Sequence, residues 1–106
     1  MLKKKYRLLK ETKFDKKNIL TSPFFVLKFT ENEKSFSRFG FVVSKRIDKR
    51  AVYRNRVKRQ LRSIIESNLD KITKGKDYLI IAKKQILGKE TRDLEAELLK
   101  ELKDSK

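Results

Sequence analysis

Nine cations crowd the eighteen residues from Lys45 to Arg62: Lys45, Arg46, Lys49, Arg50, Arg54, Arg56, Lys58, Arg59 and Arg62, against the single acid Asp48. A guanidinium grips phosphate through two parallel hydrogen bonds, and an ammonium acts as a point charge. Asn55 stands among them as a neutral donor and acceptor. A solvated surface helix usually interleaves Glu with its Lys and Arg at a spacing of four. No acid occurs between Arg50 and Arg62. The pattern therefore reads as a surface for a polyanion rather than a solvated face.

The rest of the chain agrees. It has 106 residues, 30 Lys and Arg, 14 Asp and Glu, a net charge of +16 and a pI near 10.2. Half of that charge lies in the Lys45–Arg62 segment. Met1–Lys10 is also basic, whereas Glu90–Lys106 carries more acids than bases. The candidate partners of so basic a chain are nucleic acid or an anionic membrane surface.

There is no His and no Cys. That excludes an imidazole base, a Cys/His or Ser/His/Asp constellation, a disulfide framework and a thiolate zinc site. A cytoplasmic setting is expected. The three glycines lie too far apart to form a phosphate-cradling loop. Glu101-Leu102-Lys103 matches the bare E-x-K pattern of some metal-dependent nucleases, but no acidic strand lies nearby in sequence to complete it. Neither an apolar signal core after Met1–Lys5 nor a membrane-length apolar run is present. Catalytic residues are expected to be none, and resident protein-bound metal none.

These cations need elements to hold them. Apolar residues make up 38% of the chain and come in blocks, enough for one modest core. A single domain over residues 1–106 is expected, with 1–6 as a basic arm. Glu11–Asn18 reads as a short helix with Thr12 as a possible cap and Phe14 its one large apolar residue. Ile19–Ser22, ending at Pro23, reads as an edge strand or lead-in. Phe24–Thr30 reads as a strand, and Glu31–Lys34 as a polar turn. Phe39–Ser44 reads as the next strand, antiparallel to the last and covered on both faces.

The spacing then predicts a long helix over Val52–Asn68. Its apolar stripe is Val57, Leu61, Ile64, Ile65 and Leu69. Asn55, Arg56, Lys58, Arg59 and Arg62 fall on the other side. Arg54 points towards the apolar arc, from the first turn, where its head can leave past the helix end. Lys74–Asp77 reads as a turn and Tyr78–Ala82 as a short buried strand. A last helix runs from Thr91, with Leu94, Leu98, Leu99 and Leu102 as its stripe. The order α-β-β-β-α-β-α, with a β-α-β unit around the long helix, makes a mixed sheet with helices packed on it.

Phe24, Phe25, Phe29, Phe39 and Phe41 read chiefly as core. Phe14, on an otherwise polar segment, reads equally as core or as a platform for an unpaired base.

Two stretches carry a resemblance. Arg38-Phe39-Gly40-Phe41-Val42-Val43-Ser44-Lys45-Arg46 is followed by Ala51-Val52-Tyr53-Arg54-Asn55-Arg56-Val57-Lys58-Arg59-Gln60-Leu61-Arg62. Together they closely resemble the protein subunit of bacterial ribonuclease P. Arg7–Phe14 looks like that family's N-terminal segment, and Lys76–Ala82 like its fourth strand. The similarity runs from about Arg7 to Leu102.

The resemblance implies an α+β fold: an α-β-β-β-α-β-α two-layer sandwich with a mixed four-stranded sheet and a left-handed β-α-β crossover, ribosomal-protein-like. It implies a protein that joins a catalytic RNA subunit, the holoenzyme removing the 5′ leader of precursor tRNA. Mg²⁺ is then held chiefly by the RNA. Neither membrane nor DNA is an expected partner. Matched residue by residue, Ser44, Lys45, Arg46, Arg54, Asn55, Arg56, Lys58, Arg59 and Arg62 correspond to the RNA-contacting motif. Phe14 matches one aromatic of the cleft that holds the leader, while Lys28 and Asn18 stand where the family has others. The Asp15–Phe24 segment is shorter than usual. The Ile47–Arg50 loop is one residue longer, with Asp48 where a Gly often stands; Asp tolerates a left-handed turn. The alternative is a general basic RNA-binding protein, ribosomal or architectural, that shares the helix. A stand-alone nuclease is the third reading.

Overall fold

In the computed structural model, the described residues are 4–8, 14 and 18–104. Four strands and two helices organise them: β1 (Ile19–Thr21), β2 (Phe25–Glu31), β3 (Arg38–Val42), α1 (Ala51–Ser67), β4 (Lys76–Ala82) and α2 (Thr91–Asp104). The expected helix over Glu11–Asn18 lies outside the described residues, apart from Phe14 and Asn18.

The sheet order is β1-β2-β4-β3. β1 and β4 both pair antiparallel with β2, and β3 pairs parallel with β4. The antiparallel sense expected between the second and third strands holds, but they are not neighbours. β4 lies between them, delivered there by the α1 crossover.

Strand alternation divides the sheet into two faces. Phe25, Leu27, Phe39, Tyr78, Ile80 and Ala82 face the helices and are buried. They join Val57, Leu61, Ile64 and Ile65 of α1 and Leu94, Leu98 and Leu102 of α2 in one cluster. Phe39 stacks on Tyr78 with ring centroids 5.5 Å apart. Each large side chain so buried contributes roughly 1.5–3 kcal/mol. Phe24, Phe29 and Phe41 are only partly buried against this core.

Most boundaries agree to within a residue; three differences have a local reason. Lys76 and Asp77 belong to β4 rather than to the preceding turn. Asp77 is 4% exposed at its side chain because Arg38 of β3 binds it twice, at 2.8 and 2.6 Å, and Asn32 donates a third bond at 2.9 Å. β3 stops at Val42, and its outer face is only partly covered: Val42 is 40% exposed. Leu8 does cover Gly40, where an added Cβ would sit 2.9 Å from Leu8 Cδ2. The Leu8 amide donates to Phe39 O at 2.9 Å, so the N-terminal segment follows the edge of β3. Leu69, expected on the long helix, falls in a following turn of 3₁₀ helix, half-buried.

Two side chains close the frame. Ser22 Oγ accepts from the Phe24 and Phe25 amides and turns the chain from β1 to β2. Buried Asn68 ends α1: its Nδ2 donates to Ile64 O at 2.7 Å and to Glu95 Oε2 of α2 at 3.0 Å.

Candidate nucleic-acid interface

β3 and β4 run parallel, so their carboxyl ends share one end of the sheet. From β3 the chain enters a loop pinned by two buried side chains, Val43 and Ile47, at 6% and 9% exposure. The Ile47 amide donates to Ser44 O at 3.0 Å and closes a turn. Between these anchors Ser44, Lys45 and Arg46 are all exposed. The apolar anchors leave the three polar residues no direction but outward.

The loop continues into α1 through an acid that serves the backbone. Asp48 Oδ1 accepts from the Arg50 amide at 2.9 Å, and its carboxylate takes the Arg50 guanidinium at 3.1 and 3.0 Å. Those hydrogen bonds hold the Asp48 carboxyl below its ordinary range. Among the described residues the one non-glycine with positive φ is Glu33, so Asp48 does not replace glycine by adopting a left-handed turn. It supplies an acceptor instead, as Asp does in turns.

Arg54 departs from the other cations of the motif. Its Nη1 folds back to donate to Asp48 O at 3.0 Å and Lys49 O at 2.8 Å. The head does leave past the helix end, but to tie down the loop. Its role in this structure is to position Lys45–Arg50 against α1.

The remaining cations do what the 100° spacing predicts. Asn55, Arg56, Arg59 and Arg62 are exposed, and Lys58 is half-buried on the flank. Val52, Asn55, Arg59 and Arg62 line an open depression. The first turn of α1 has no acid and no side-chain cap, so the positive end of the helix dipole adds to the cationic field. The structure thus exposes Ser44, Lys45 and Arg46 on the loop before α1, and Asn55, Arg56, Arg59 and Arg62 on the outer side of α1.

Lys28 lies elsewhere, on the sheet face opposite the helices, and Asn18 lies at the start of β1, level with Phe29. The register sets Ile19, Lys28, Leu79 and Gly40 in one cross-strand row and Thr21, Val26, Ile81 and Val42 in the next. Lys28 is the one cation in these two rows. Asn18 O accepts from the Phe29 amide at 3.1 Å, which places Asn18 at the β1 edge beside Lys28. Phe14 is half-buried.

Sequence reasoning missed Tyr53, Gln60 and Lys89. Tyr53 is 39% exposed, with the Arg50 guanidinium 4.0 Å from its ring centre. Gln60 Nε2 donates to Lys89 O at 3.2 Å, tying α1 to the turn before α2. Tyr53 borders the apolar arc of α1, about 20° from Ile64 at 100° per residue, so its place in the sequence pattern did not mark it as exposed.

These features define a class: an α+β polyanion-binding protein. Its described residues include no group of three or more carboxylates able to hold a metal ion. Comparison with known proteins sharpens this. The Ribonuclease P family model matches residues 2–106. The ribonuclease P protein component of Fusobacterium nucleatum subsp. nucleatum is 40% identical over 82 residues, covering 74% of this chain and 73% of that one. The solved ribonuclease P protein of Staphylococcus aureus superposes with a TM-score of 0.81 at 28% identity, covering 95% of both chains. That of Thermotoga maritima gives 0.77 at 31% identity, covering 81% of both. The chain belongs to the ribonuclease P protein family. RNA binding and precursor-tRNA processing are that family's role, performed as the protein component of a ribonucleoprotein endoribonuclease.

Proposed function

We propose that this chain docks on the catalytic RNA of ribonuclease P through the exposed face of α1 and the Ser44–Arg46 loop, and holds the 5′ leader of precursor tRNA on the opposite face of the sheet. The observation that carries the first half is the acid-free run from Arg50 to Arg62, presented outward on a helix whose other side is core. Arg56, Arg59 and Arg62 contact phosphates; Asn55 reads or bridges beside them.

The second half is supported by the sheet face opposite the helices, where Val42 is exposed and Val26, Lys28, Leu79 and Ile81 are half-buried. A single-stranded leader needs apolar surface for its bases and cations for its backbone. Val26, Leu79, Ile81 and Val42 offer the first and Lys28 the second, with Asn18 at the rim and Phe14 as a stacking ring. With Lys28 and Asn18 in place of aromatics, charge replaces part of the stacking. Mg²⁺ is assigned chiefly to the RNA subunit, as the family resemblance implies. The setting is the cytoplasm, where precursor tRNA is made.

Cleavage of a leader-bearing precursor tRNA at low Mg²⁺ tests this, with protein alone, RNA subunit alone, and both. Product from the mixture alone is the expected result. No gain from adding protein would leave a general RNA binder. Product from the protein alone would place an active site on this chain. Phe14→Ala should weaken leader-bearing substrate by ~1–3 kcal/mol and leave mature tRNA unchanged.

A further inference from the structure

Beside the cationic face of α1 runs a groove of about 220 Å³ that shares Arg56 with that face. Its walls are Asp48, Arg50, Tyr53, Arg56 and Gln60 on one side and Leu87 and Lys89 on the other. Gln60 bridges the walls through Lys89 O and Thr91 Oγ1. Gly88, between Leu87 and Lys89, takes φ +76 and has open space where a Cβ would stand.

Its chemistry is unlike that of the rest of the face. Tyr53 is 39% exposed although it sits on a helix whose apolar side is buried. One side of its ring carries the Arg50 guanidinium at 4.0 Å, and Arg50 is in turn fixed by Asp48. A ring so immobilised loses little freedom when a second flat group stacks on it. Arg56 and Lys89 flank it with cations. Lys89 Nζ lies 5.6 Å from the Phe24 ring centre.

We propose that this groove takes one unpaired nucleotide of the RNA subunit, its base stacked on Tyr53 and its phosphate between Arg56 and Lys89. The site rests on the RNA-docking reading above and adds to it. Phosphate contacts alone position RNA without regard to sequence or pairing. A stacking site admits only a base free of its helix, and so fixes the register of the RNA on the protein. The groove's occupant is RNA rather than a protein segment because it continues a cationic face and pairs its aromatic ring with two flanking cations.

The test uses the full chain and its cognate RNA subunit. Tyr53→Leu should lower affinity for the RNA about tenfold, while Tyr53→Phe, which keeps the ring, stays within about twofold of the parent. Neither should change the slope of log K against log salt, since no charge is lost. Base-reactivity probing of the RNA should show one unpaired nucleotide shielded by the parent and by Tyr53→Phe, but open with Tyr53→Leu. Arg59→Ala is the control for the docking face and should lower the salt slope. A lowered slope for Arg59→Ala together with parental affinity and shielding for Tyr53→Leu would overturn the stacking site and leave the docking face standing. An unchanged slope for Arg59→Ala would overturn the docking face itself. Thermal melting of both Tyr53 variants should match the parent; loss of affinity through unfolding in Tyr53→Leu alone would make Tyr53 structural and overturn the site.

Discussion

At the scale of the residue, nine cations that look equivalent in the sequence divide into two kinds. Arg54 spends one end of its guanidinium on the carbonyls of Asp48 and Lys49, whereas Arg56, Arg59 and Arg62 project from the surface. Arg54→Ala should therefore destabilise the protein by ~1 kcal/mol, and Arg59→Ala by less than about 0.5 kcal/mol, in urea unfolding. Equal small effects would deny Arg54 its positioning role. Glu101 makes a second residue-scale prediction. Burial, with Glu97 and Asp104 nearby, pushes its carboxyl above the ordinary glutamate range. The folded state then binds a proton more readily than the unfolded one. Its contribution to stability is present at low pH and is lost as pH rises from the ordinary carboxylate range through the raised value. Glu101→Gln should be more stable than the parent at neutral pH, with the difference shrinking on acidification. A difference that does not vary with pH would remove this account.

At the scale of the element, one buried carboxylate joins three segments. Asp77 in β4 receives Arg38 from β3 and Asn32 from the turn after β2. Asp77→Ala strands a guanidinium that is 13% exposed and an amide at the same point. The expected loss is about 2–4 kcal/mol, below the cost of a wholly buried orphan because Arg38 reaches some water. The double variant Asp77→Ala with Arg38→Met should recover part of it; no recovery would make the loss one of packing. The same residue shows where the sequence was legible and where it was not. The pattern placed α1 to within a residue at each end and the start of α2 at Thr91, since Val57, Leu61, Ile64 and Ile65 share one side of α1. Asp77 was read as part of a turn because charge normally marks a surface. Its partner lies 39 residues away, and no local pattern reports that pairing.

At the scale of the whole molecule, the fold gathers several basic segments that are separate in the chain. The parallel pairing of β3 and β4 gathers the Ser44–Arg50 loop, the start of α1 and the Lys83–Lys89 segment. Binding to RNA should accordingly be steep in salt. Replacing Arg56, Arg59 and Arg62 together by Ala should reduce the slope of log K against log salt by about 2–3, close to one phosphate per side chain. A reduction near zero would mean that the charges act only as a diffuse field. The triple variant should keep the parent's melting temperature, because none of the three touches the core.

The sequence by itself determined the polyanion-binding character, the apolar stripes, the outward display of Arg56, Arg59 and Arg62, and the family. All are local or compositional: charge is a sum over residues, and a helix face follows from 100° per residue. The tertiary structure alone decided that β4 separates β2 from β3, that Asp77 is core, that Arg54 turns back onto the loop, and that Tyr53 and Lys89 share a groove. Each depends on residues distant in the chain meeting across a sheet or between two helices, and such meetings are set by how the elements pack rather than by any pattern within them.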